Sequence, residues 1–114
     1  MSFFDSEIVR AEMVEISELQ EEVYSSMMQF AYMNDSDKLH HVKLLEKLLN
    51  KQKVLFARLS LSDDPEAKQM KQNIVESAKM MGLPPDVEIT TVFDQMNKML
   101  DIMKQQIDNG KADQ

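Results

Sequence analysis

Apolar side chains over the first sixty residues recur at alternating steps of four and three. Val9, Met13, Ile16, Gln20, Val23, Met27 and Phe30 form one such series, and Val42, Leu45, Leu49, Gln52, Phe56 and Leu59 form a second. Each marks a narrow seam on a helix. The two series mirror each other about Asn34-Asp35-Ser36-Asp37. Reflection pairs Phe30 with Val42, Met27 with Leu45, Val23 with Leu49, Gln20 with Gln52, Ile16 with Phe56 and Met13 with Leu59. Two antiparallel helices joined by a short turn require this symmetry, because each arm must climb away from the turn in equal steps. The spacing therefore predicts an all-α chain built on a helical hairpin, with helices at about 6–33 and 37–60 and six stacked rungs.

Local signals set the predicted ends. Asp5 suits an N-cap, with Phe4 and Val9 placed as a hydrophobic staple, and Asp35, Ser36 or Asp37 can cap the second helix. Asp64 followed by Pro65 opens a third helix at about 65–81, carrying Ala67, Met70, Ile74, Ala78 and Met81 and stopping at Gly82. Leu83-Pro84-Pro85 cannot continue it. Asp86 or Thr90 begins a fourth helix at about 87–108. Its seam is Ile89, Phe93, Met96, Leu100, Met103 and Ile107, and it ends at Asn109-Gly110. The chain reads as one helical domain over 1–110 with a polar tail at 111–114.

Two features go beyond the seams. Gln20 and Gln52 form the one polar rung, and paired amides in an apolar seam would fix its register; the competing reading turns one or both into water. Leu19, Met33, Leu44, Leu48, Leu55, Val92 and Met99 lie beside the seams and need cover. Either the last two helices fold onto the hairpin as a four-helix bundle, or a second copy or a partner protein covers these residues. They are the candidate partner-binding positions.

Composition narrows the chemistry. The chain has 114 residues, two glycines, no cysteine, eleven methionines and a formal net charge of −7. Disulfides and thiolate metal sites are excluded. The acidity argues against direct binding of a phosphate backbone. No run of apolar residues is long enough to span a membrane, and MSFFDSEIVRAEM lacks the charge and apolar pattern of a secretory leader. The expectation is a cytoplasmic protein. Charge is segregated: residues 5–35 hold eight acids and the single base Arg10, whereas residues 37–60 hold two acids and six bases. Complementary faces of one hairpin explain this more simply than a basic ligand site does.

Candidate chemistry is sparse. His40 and His41 point about 100° apart on a helix and chelate one ion poorly, and Asp37 with His40 makes only one imperfect carboxylate–histidine unit. Glu12, Glu15, Glu18 and Glu22 form a stripe that reads as a solvated face rather than a catalytic carboxylate pair, with mimicry of nucleic acid as the sharper alternative. Met96, Met99 and Met103 have a spacing suited to copper(I) thioethers, but the seam already accounts for two of them. No catalytic, cofactor or metal residue is assigned.

The segments FFDSEIV (Phe3 to Val9) and FDQMN (Phe93 to Asn97) resemble an uncharacterised small all-helical family of cyanobacteria and their phages. FARLSLSDD (Phe56 to Asp64) is similar more loosely, and MMGLPPDVEITT departs from the pattern. The resemblance implies a cytoplasmic helical protein, in the host cytoplasm if phage-encoded. It carries over no activity, cofactor or catalytic residue.

The expected function is a non-enzymatic, acidic, helical interaction module. It would be a regulator or adaptor that self-associates as a dimer and binds a protein partner, with transcription machinery as one example of a host complex. The alternatives are a structural component of a virion or other assembly, and a nucleic-acid mimic.

Overall fold

The computed structural model describes residues 3–84 and 86–112. Among them every regular element is helical, and four α-helices pack against one another. They are α1 (Glu7–Met27), α2 (Asp35–Leu61), α3 (Pro65–Met80) and α4 (Ile89–Ala112), with short 3-10 turns at Phe3–Asp5 and Phe30–Tyr32. The helix α2 is the hub: α1, α3 and α4 all pack on it. The bundle is elongated, 55 × 33 × 20 Å.

The predicted hairpin is present. Glu12 reaches Arg58, Glu15 reaches Lys51 and Ser26 reaches His41, so α1 and α2 run antiparallel. Ile16, Leu19, Val23 and Leu48 form a buried cluster, with Leu44, Leu45 and Leu55 packed against it. The seam of α1 is nevertheless rotated from the predicted one. Leu19 takes the inward place beside Gln20, while Met13 and Met27 are 36% and 48% exposed. The buried cluster is made of α1 and α2 residues alone, so the rotation brings Leu19 onto Leu48 within the hairpin itself.

The first helix ends at Met27, about six residues before the predicted end. Ser25 and Ser26 both donate their hydroxyls back to the Glu22 carbonyl, at 2.9 and 3.1 Å. Such back-bonding weakens a helix interior. The chain then tightens through the 3-10 turn, and Phe30 is carried onto His41, with ring centroids 5.2 Å apart. The Lys38 ammonium lies 5.7 Å from the centre of the same ring.

The caps also differ by a residue or so. Ser6, not Asp5, caps α1 by accepting from the Val9 N–H. Val9 therefore stands at N3 and the predicted staple is out of step. Asn34 caps α2, accepting from the Asp37 N–H at 2.8 Å, because its amide oxygen reaches the third residue on. The fourth helix opens at Ile89, between the two candidate cap residues, and runs through Asn109 and Gly110 into Lys111 and Ala112. No proline follows, and Lys and Ala are good helix formers. The last two tail residues and Pro85 lie outside the described residues.

At the α2–α3 junction the prediction holds. Asp64 Oδ1 accepts from the Glu66 N–H at 3.1 Å, with Pro65 in the first turn. Its other oxygen accepts from the Phe3 N–H and ties the amino-terminal turn to the start of α3. At the far end Leu83 N–H bonds Ala78 O and Gly82 N–H bonds Lys79 O, a Schellman closure that needs the left-handed Gly82, φ 113°. Removing the Asp64 carboxylate takes away cap and tie together. Asp64→Ala is expected to cost about 1–2 kcal/mol, measured by urea denaturation, whereas Asp64→Asn should retain most of it.

Candidate interaction surface

Ion pairs show which side of the bundle is closed. Glu12–Arg58 (3.2 Å) and Glu15–Lys51 bridge α1 to α2, while Lys53–Asp94 (2.9 Å) and Glu46–Lys104 (2.5 Å) bridge α2 to α4. On a helical wheel these α2 residues face one half of the helix, so both rows of pairs flank a single polar face. That face holds a shallow groove lined by Lys43, Lys47, Asn50 and Val54, with Glu12 and Glu46 at its margins. The complementarity of acidic α1 and basic α2 is met within the chain by the Glu12–Arg58 and Glu15–Lys51 pairs. Lys51 holds the Glu15 carboxyl below its ordinary range, through their hydrogen bond first and its charge second. Exposed pairs of this kind add at most about 1 kcal/mol each.

The opposite flanks are apolar. On α1, Tyr24 and Met27 stand together, and on α4, Val92, Met96, Met99 and Met103 make a stripe at steps of four and three. Because the ion-paired sides of α1 and α4 point to the polar face of α2, these residues lie on the other side. At one end α3 lies over α2, and Met70 and Ile74 line a pocket there with Ile16, Phe56, Leu59 and Phe93. Sixteen residues of α3 are shorter than the twenty-seven of α2, so α3 spans only part of the hub helix. Tyr24, Met27, Met96 and Met99 are 65%, 48%, 46% and 63% exposed.

The candidate partner-binding residues divide accordingly. Leu19 and Leu48 are buried in the core, and Leu44 and Leu55 pack on it. Met33 and Val92 are half-buried, and Met99 alone of the seven is fully on the surface. The bundle, rather than a second copy, covers most of these flanks. Gln20 and Gln52 are both half-buried, yet no hydrogen bond joins them; Gln52 instead lines the apolar cavity under α3. Tyr24 is a surface residue that the heptad series passed over, because it falls one place outside the seam.

Among the acids of α1, Glu12 and Glu15 turn to α2, whereas Glu7, Glu18, Glu21 and Glu22 are exposed and have no ion-pair partner among the described residues. His41 is buried, 5% exposed, with Nδ1 2.9 Å from Ser26 Oγ, while His40 is exposed. The two imidazoles are thus separated by the helix surface, as expected from adjacent positions. Among the described residues no group of three or more His, Cys, Asp or Glu could hold a metal ion, and no helix is long and apolar enough to cross a membrane.

No curated protein and no solved structure matches the chain. A family model does match, over residues 1–107, which takes in all four helices up to the last turns of α4. The chain belongs to the family described as Domain of unknown function (DUF1825).

Proposed function

We propose that the protein is an acidic interaction module that takes a basic amphipathic helix of a partner protein into a groove between α1 and α4. The observation that carries this reading is the exposure of the large apolar side chains Tyr24, Met27, Met96 and Met99 on α1 and α4. Helix-in-groove recognition uses apolar anchors at i, i+3, i+4 and i+7. Unbranched, polarizable methionines adapt to them without a fixed shape. Charge supports a basic occupant: the unpaired Glu21 lies one turn from Tyr24 on α1, and the chain carries −7 overall. In the cyanobacterial or phage setting suggested by FFDSEIV and FDQMN, this makes the protein a regulator or adaptor of a host complex in the cytoplasm.

A defined probe tests it. A labelled synthetic helix of about fourteen residues, with Leu at i, i+4, i+7 and i+11 and Lys elsewhere, is titrated into the protein. It is compared with the same helix carrying Glu for Lys, and with a scrambled control. The Lys helix should bind and weaken with added salt, and Met99→Glu should lower its affinity about tenfold or more by placing a charge in the apolar wall. Met99 is exposed, so folding is spared. Equal binding of the scrambled control, or indifference to Met99→Glu, refutes the groove. Light scattering that shows a dimer dissociated by Met99→Glu assigns the same surface to a second copy instead.

A further inference from the structure

Under α3 lies a half-open pocket of about 310 Å³, lined by residues of all four helices. Ile16 of α1, Leu55, Phe56 and Leu59 of α2, Met70 and Ile74 of α3 and Phe93 of α4 form its wall, and Gln52 is the one polar residue among them. Phe56 and Phe93 stand 6.2 Å apart, their planes inclined by 52°. Packed interiors seldom leave voids larger than a water molecule. This one falls in the size range of small-molecule sites, which are apolar with a few placed polar groups.

We propose that this cavity binds a small, uncharged, largely apolar molecule carrying a single hydrogen-bonding group, which the Gln52 amide receives. Size, polarity and charge each limit the ligand. A cavity of about 150 Å³ holds one benzene, so this one accommodates about a dozen non-hydrogen atoms. Water is poorly suited to fill it, because a buried water needs two to four polar partners and the wall supplies one. No lysine, arginine or histidine lines the wall, so a carboxylate or phosphate would enter uncompensated and at high cost. The Gln52 amide, both donor and acceptor, makes no hydrogen bond among the described residues and is free for an alcohol, phenol or amide. The polar rung of the seam is thereby a recognition group rather than half of a glutamine pair. The site is separate from the proposed groove and stands whether or not a helix binds there.

Three probes built on one naphthyl ring test the proposal: 2-naphthol, naphthalene and the bulkier, charged 2-naphthalenesulfonate. The protein has no tryptophan, so naphthyl fluorescence reports binding cleanly. Naphthol should bind with nuclear Overhauser contacts to Phe93 and to the Met70 methyl, naphthalene more weakly, and the sulfonate not at all. Gln52→Met should lower naphthol affinity about fivefold to tenfold and leave naphthalene unchanged. Ile74→Phe and, separately, Met70→Phe should fill the space and abolish both, with helicity and melting followed to confirm folding. Failure of naphthol to bind the natural protein, contacts elsewhere than Phe93 and Met70, or equal binding of the sulfonate overturns the proposal. An equal loss of naphthol and naphthalene in Gln52→Met overturns the role of the amide.

Discussion

Replacing Leu59 by alanine should destabilise the bundle by about 2–5 kcal/mol, the largest effect expected of a single truncation here. Leu59 is 1% exposed and is one of the two largest fully buried side chains. It lies on the hub helix and borders the cavity beneath α3. The new void would therefore join an existing one, and neighbours could not collapse into it without moving α3. Small domains have only about 5–15 kcal/mol in total, so a large fraction of the folded state's advantage disappears. The midpoint of urea unfolding should fall with its slope unchanged. Leu61→Ala is the control: at 86% exposure the same chemical deletion two residues away should change stability by no more than about 0.5 kcal/mol. A cost at Leu59 below about 1 kcal/mol would mean that α3 does not close over α2 as described.

The hairpin was legible because a repeat of four and three over six turns leaves few alternatives, and a mirrored repeat leaves one direction of folding. Helix boundaries were less so. The early end of α1 depends on Ser25 and Ser26 bonding back to Glu22 and on Phe30 finding His41. The second of these is a contact between residues eleven apart that no local propensity encodes. The surface was legible as leftover apolar flanks, but not which flanks remain open. Leu19, Leu48 and Leu55 are absorbed in the packing of α1 against α2, whereas Met99 remains outside. The cavity could not be read at all, since it arises where side chains from four helices fail to meet.

Lowering the pH below about 6.5 should weaken the fold through His41. The imidazole is buried at the closed end of the hairpin, against Phe30 of the turn and Ser26 of α1. Burial pushes its pKa below the usual 6.5, and the neighbouring His40 adds to the shift by charge repulsion. The charged groups nearby give no relief: Lys38 on α2 lies over the same Phe30 ring, and no carboxylate pairs with the imidazole. The folded state thus prefers the neutral ring, and the unfolded chain takes up a proton first as acid is added. Stability is fully present above the unfolded pKa, declines as pH falls through it, and levels off below the folded pKa. One proton limits the slope to about 1.4 kcal/mol per pH unit. Glu15, whose pKa is lowered by Lys51, acts in a separate window, below its ordinary 4.5. Urea unfolding at closely spaced pH values from 7.5 to 5 should show the decline, and His41→Leu should flatten it while His40→Leu leaves most of it. A natural protein whose stability does not change between pH 7 and 5.5, or a His41→Leu variant that retains the full slope, would show that the imidazole is not held neutral by the fold.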